Sequence, residues 1–140
     1  MLQEGYTGQG VVTGCAATAD GTDLVISVAA GTIAVAGIGI GGTTSGQIDT
    51  GSGTTTLSAA DATNPRFDIV YITTGGSISH ATGTASSNPI FPSLSAGQIA
   101  LAAVYVGPTV TAIQSADVID KRVFVPSPVA PLYQMAVNFR

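Results

Sequence analysis

The stretch ATNPRFDIVYI, residues 62–72, sets Arg66 and Asp68 at the head of an apolar run, in a chain whose charged residues make up only 9% of the total. In an extended chain Phe67 and Ile69 fall on one face and Asp68 and Val70 on the other, so apolar side chains line both. A strand of that kind is covered on each side. IALAAVYV, residues 99–106, has the same character, and the two are expected as the central strands of an all-β domain. Pro65 fixes the start of the first and removes a backbone donor. An Asp on a face otherwise filled by Val and Ile needs a partner, because an uncompensated buried charge costs several kcal/mol. SADVIDKR, residues 115–122, can supply one. Lys121 or Arg122 is the expected partner of Asp68, and Asp117 or Asp120 that of Arg66, a polar latch tying the end of the domain to its central strand. The competing reading is that all six charges are solvated at strand ends, where ion pairs contribute little.

Working outward, DLVISV, AAGT and IAVAG (residues 23–37) read as strand, turn and strand, a β-hairpin preceded by the turn ADGTD at 19–23. Residues 37–56 are dominated by Gly, Ser and Thr and read as short edge strands and loops. Helix is disfavoured throughout. The best candidate, SAADAT at 58–63, is limited to one turn by Pro65. Gly75-Gly76 marks a hairpin turn, Pro89 and Pro92 an extended connection, and residues 110–113 a last strand of the domain. The expected fold is an antiparallel β-sandwich or jelly roll with extended arms: residues 1–22 as N-terminal arm and first turn, 23–122 as the domain, 123–140 as a Pro-rich arm and docking strand. In that last segment Pro126, Pro128 and Pro131 favour an extended, polyproline-like chain. Tyr133, Met135, Val137 and Phe139 then alternate with Gln134, Ala136, Asn138 and Arg140. This is a strand with one apolar face, expected to dock on a neighbouring subunit, against the alternative that it folds back on its own core.

The totals exclude several functions. The 140 residues suit one domain, and 45% hydrophobic content with 18 Gly and 7 Pro suits many short strands. Four Lys plus Arg against eight Asp plus Glu leave no basic stripe, so nucleic acid is not an expected partner. So lightly charged a surface is expected to be covered in part by other subunits. Cys15 is the single cysteine, so no internal disulfide can form, and the start MLQEGYTGQG lacks the basic and apolar regions of a signal peptide. VISVAAGTIAVAGIGI, residues 25–40, carries no charge but holds three Gly and many β-branched residues, and reads as adjoining strands rather than a membrane span.

Motifs for chemistry are weak. GIGIGG at 37–42 matches a dinucleotide fingerprint, yet TTSGQIDTGSG after it cannot open the helix that would hold a pyrophosphate. His80 is the single histidine, in a stretch that reads as a solvated loop, and with Cys15 it leaves no zinc-ligand cluster. Asp20 and Asp23 lack the further oxygen ligands of a calcium loop. No catalytic, cofactor or metal residues are assigned, and no enzyme activity is expected.

SAADATNPRFDIVYI, TGTASSNPIFPSLSAGQIALAAVYV and AIQSADVIDKR, in that order, resemble a β-rich module of tailed-bacteriophage virion proteins, especially tail-fibre and baseplate components. The matching residues are Asn64, Pro65, Arg66, Asp68, Thr82, Gly83, Ala96, Gly97, Ile99, Leu101, Ala102, Val104, Val106, Asp117, Asp120 and Arg122, and the similarity spans residues 58–122. The resemblance implies a non-enzymatic building block of the virion, assembled in the host bacterial cytoplasm. It is expected to form a homo-oligomer, with a trimer as the first stoichiometry, bound to major capsid or tail proteins. A chain of this length, with no coiled-coil shaft, suits capsid cement or decoration, while the motif suits a tail-fibre or baseplate module with a host-attachment or glycan-binding role.

Overall fold

The structure, a computed structural model, describes residues 9–35 and 47–125. The described residues are all-β, with three small antiparallel sheets and a single 3-10 turn at Ser115–Asp117. No helix among them is long and apolar enough to cross a membrane.

Two of the sheets are halves of one bent meander. Strands β1 (Gly10–Gly14) and β2 (Ala17–Ala19) are one chain that turns a corner, as are β3 (Val25–Val28) and β4 (Gly31–Ala34), and β5 (Gln47–Thr50) and β6 (Gly53–Thr56). On one side of the corner the order is β1-β4-β5, on the other β2-β3-β6. The pairing Gly14↔Gly31 continues beyond the corner as Ala17↔Val28, and Gly31↔Thr50 as Val28↔Gly53, without a change of register. Backbone bonds carry the pairing through the bend, from Cys15 N–H to the Ala30 carbonyl (3.3 Å) and from Ala29 N–H to the Ala16 carbonyl (2.9 Å). Gly31 allows the bend. A side chain there would meet the Thr13 carbonyl, and the Cys15 sulfur at 2.7 Å. Gly14 and Cys15 both take positive φ, +69° and +61°, as a sharp corner requires.

The hairpin expected at residues 23–37 is therefore not one. Its two strands belong to different sheets, and AAGT is the corner; the true hairpin turn is ADGTD, where Asp20 accepts from the Thr22 N–H (2.9 Å) and hydroxyl (2.8 Å). Residues 10–22, expected as arm and turn, supply two strands, and Val11 and Cys15 are fully buried.

The third sheet has the order β10-β9-β7-β8, with β7 (Arg66–Thr73) and β9 (Gln98–Val106) in the centre as expected, and β8 (Ile78–Ala81) and β10 (Val118–Asp120) outside. Strands β7 and β8 join through Gly75-Gly76, with Gly76 at φ +91° and its N–H bonded to the Thr73 carbonyl at 2.8 Å. The expected strand at 110–113 is a loop instead, pinned by Ile113 N–H to the Asp23 carbonyl (2.9 Å) with Ile113 buried in the core. SAADAT has no helical turn; Asp61 accepts the N–H groups of Thr63 and Asn64, both at 2.8 Å. Ile26, Val28, Ile33, Leu57, Val70, Ile72, Leu101 and Val104 form one apolar core shared by all three sheets.

Candidate functional site

The residues expected to form a latch lie at two places, and each Arg–Asp pair closes on itself. On β7, Arg66 and Asp68 are two residues apart and so share a face. Arg66 Nε donates to Asp68 Oδ1 at 2.8 Å and Nη2 to Oδ2 at 3.1 Å, with side chains 6% and 0% exposed. Two further guanidinium hydrogens bind the carbonyls of Ala59 (2.8 Å) and Ser58 (2.7 Å), and Asp68 Oδ1 also accepts the Gly83 N–H at 3.0 Å. Gly83 packs so closely on β7 that a side chain there would strike the Phe67 carbonyl. The pair thus ties the segments on either side, 58–59 and 83, to the central strand, and among the described residues no buried side-chain polar atom lacks a partner.

At the other place, Arg122 Nη2 meets Asp120 Oδ2 at 2.6 Å and Nε meets Oδ1 at 2.9 Å. These bonds, with the Arg122 N–H at 3.0 Å, hold the Asp120 carboxyl down at about 2 and push the Arg122 guanidinium up. Hydrogen bonds from the Thr22 backbone and hydroxyl lower Asp20 likewise, and the N–H groups of Asn64 and Thr63 lower Asp61. Arg122 Nη1 donates to the Gly14 carbonyl at 2.8 Å, so this residue does tie the end of the domain down, to the meander corner rather than to β7. Backbone bonds join it there: Val11 N–H to the Val123 carbonyl at 2.8 Å, and Val125 N–H to the Val11 carbonyl at 2.9 Å. Asp117 caps its own turn, accepting the Gln114 N–H at 3.0 Å. Lys121 lies over the Phe91 ring, 4.8 Å from its centroid. The expected exchange of partners between the clusters does not occur, because each Arg reaches the Asp two residues before or after it.

The outer face of the third sheet carries an aromatic cluster that the sequence reading did not single out. Phe67 on β7 lies beside Tyr105 on β9, with ring centroids 5.5 Å apart, and the 82–97 connection lays Phe91 on Phe67 at 4.7 Å. Ile119 on β10 stands on the same face through its pairing with Ala103. A cavity of about 160 Å³ opens elsewhere, between β2 and β10, lined by Ala17, Ala19, Leu101 and Val118 among others, with Asp120 and Arg122 engaged with each other at its wall.

His80 is a strand residue, not a loop one. It sits half-buried on β8, and its Nδ1 lies 2.8 Å from the Thr55 hydroxyl of β6, where two sheets adjoin. Among the described residues no group of three His, Cys, Asp or Glu is placed to hold a metal ion. The GIGIGG motif and the expected docking residues Tyr133, Met135, Val137 and Phe139 lie outside the described residues. No family model matches the chain, and neither do curated proteins or solved structures.

Proposed function

We propose that this chain is a non-enzymatic structural subunit of a tailed-phage virion that self-associates, with a trimer as the expected form, and stabilises the particle as capsid cement or decoration. The resemblance of residues 58–122 to virion modules supports the class of protein. The observation that carries the assembly role is the surface. Among the described residues the large exposed apolar side chains are Ile90, Phe91, Tyr105, Ile119, Val123 and Phe124, all within one part of the chain. Of these, Phe91 and Tyr105 both lie against Phe67, and Ile119 stands on the same face of the sheet; such an apolar cluster on a lightly charged protein is a surface for a partner. The finer architecture that accompanies this reading is an antiparallel sandwich. It is supported by β2 lying beside β10 and β6 beside β8, and by the shared core. Hairpin and meander connections favour it over a jelly roll.

The order of the motif favours a second reading, a tail-fibre or baseplate module. Both are tested by producing the tagged chain together with virion proteins and separating heads from tails on a density gradient. Sedimentation with heads supports cement, and with tails the second reading; absence from both overturns the virion role. Light scattering tests self-association: an oligomeric full chain and a folded monomer after truncation at Pro126 support it, and two monomers overturn it.

A further inference from the structure

The β2-β3-β6 half of the meander meets the third sheet at two seams, and they are closed differently. Between β6 and β8 side chains fill the joint: the Thr55 hydroxyl reaches His80 Nδ1, and Ile78 stands over Gly53. Between β2 and β10 the joint holds a cavity of about 160 Å³. Small side chains leave it open. Ala16, Ala17 and Ala19 line one side, and Leu101, Ala102 and Val118 the other.

Main-chain groups turn into this seam from both strands. On β2 the Ala29 N–H bonds the Ala16 carbonyl, so the alternation of an antiparallel ladder makes Thr18↔Ser27 the next bonded pair. The N–H and C=O of Ala17 and Ala19 therefore turn away from β3. On β10 the bond from Lys121 N–H to the Leu101 carbonyl makes Ile119↔Ala103 the bonded pair, so the groups of Val118 and Asp120 turn away from β9. The Val118 N–H is taken by the Ser115 carbonyl, which leaves its C=O and both groups of Asp120 on this edge. Strands β2 and β10 belong to different sheets, and no pairing joins them.

We propose that this seam is a binding site for a small, neutral primary carboxamide with an apolar body about one ring in size. Volume, polarity and charge each narrow the ligand. An engineered cavity of about 150 Å³ in another protein holds benzene, so the space here suits a single ring. Walls of methyl and isobutyl groups suit an apolar body. In an extended residue the outward N–H and C=O point the same way, and the C=O and one N–H of a carboxamide meet them at two points. Ions are disfavoured, because Asp120 and Arg122 at the wall compensate each other at 2.6 Å. Width excludes a peptide strand. Cα atoms of β2 and β10 come within 8 Å of each other, less than the two strand spacings, about 9.6 Å, that a strand inserted between them requires. The site uses none of the residues of the aromatic face, so binding there does not depend on self-association.

Titration of the isotope-labelled full chain with benzamide, followed by NMR, tests this. The backbone amide signals of Ala17, Ala19 and Asp120 should shift together and saturate with a dissociation constant on the order of 1 mM, the range for so small a ligand. Toluene, the ring without the amide, and benzoate, its anionic counterpart, should each bind at least about fivefold more weakly. Equal binding of toluene, or tighter binding of benzoate, overturns the carboxamide. No saturable shift at about 20 mM benzamide, or shifts centred on Phe67 and Phe91 instead, overturns the site. Ala17→Leu puts a larger side chain into the cavity and should abolish binding in a folded chain. Should that variant not fold, Ser115→Leu, at an exposed position of the wall, serves in its place. Saturable binding retained by a folded variant overturns the site as well.

Discussion

Arg66 and Asp68 sit two residues apart on the central strand and form a buried, doubly hydrogen-bonded pair, 2.8 Å at its shorter contact. Because two further guanidinium hydrogens bind Ser58 and Ala59 and the carboxylate also holds Gly83, the pair organises two connections as well as itself. Removing one partner leaves the other charged and buried, a loss of roughly 3–5 kcal/mol. Arg66→Met and Asp68→Leu should each lower the urea midpoint by that equivalent, and the double variant should recover much of it. A double variant as unstable as the sum of the singles would show that the two side chains act independently.

Close backbone approach makes Gly31 and Gly83 obligatory and leaves Gly51 free. A Cβ at Gly31 or Gly83 meets main-chain oxygen that cannot move alone, whereas at Gly51 nothing lies within 4 Å. Gly31→Ala and Gly83→Ala should each cost upward of about 2 kcal/mol. Gly51→Ala should be neutral or stabilising by a few tenths of a kcal/mol, since it only restricts the unfolded chain. Equal losses at all three positions in thermal unfolding would contradict the close packing at the corner and at Gly83.

Asp120 gives the acid limb of the stability curve a definite sign. Its carboxyl titrates at about 2 in the folded chain, below its ordinary value of 3.8, so its contribution is fully present above the ordinary value and is lost as pH falls through about 2. The side chain is 58% exposed, which discounts the contribution to about 1 kcal/mol or less. Asp120→Asn should therefore flatten the decline in stability between pH 4 and pH 2 at low salt, and added salt should shrink the difference between the variants. Asp20 and Asp61 are lowered as well and retain part of the slope. An unchanged acid limb in the variant would mean that the Arg122 contact contributes nothing in solution.

What could be read in the sequence was governed by period and composition. Strands β7 and β9 carry apolar residues on both faces, and Gly75-Gly76 marks a turn with few alternatives, so those elements and their central place were legible. The bend at Gly14–Ala16 was not, because AAGT suits a tight turn as well as a corner, and only the pairing with residues 47–56 distinguishes the two. The Arg–Asp pairs were found as residues but assigned the wrong partners. Positions two apart on a strand share a face, and a long Arg side chain spans that distance, so each Arg needs no distant carboxylate. Ile113 and Val110 resemble a strand in composition, yet their burial comes from a loop packed over the core. His80 looked solvated because its sequence neighbours are polar, and the partner that half-buries it, Thr55, is 25 residues away.

That contact carries the last prediction. Strands β6 and β8 are not partners in a sheet, so the edge between them depends on side chains, and the bond of Thr55 Oγ1 to His80 Nδ1 at 2.8 Å joins it there. Ile78 supports the same seam from β8, its Cδ1 lying 2.9 Å from where a Cβ on Gly53 would stand. Thr55→Val keeps the shape of a β-branched strand residue and removes only the hydroxyl, which isolates the hydrogen bond. The expected cost is about 1 kcal/mol, with faster amide exchange in β6 and β8 and little change in β7 or β9, whose ladders are complete on both sides. His80→Ala should give a similar loss, and the double variant should cost less than the two singles added, because the bond is counted twice. Additive losses, or exchange that quickens evenly over all four strands, would show that the seam is held by apolar packing alone.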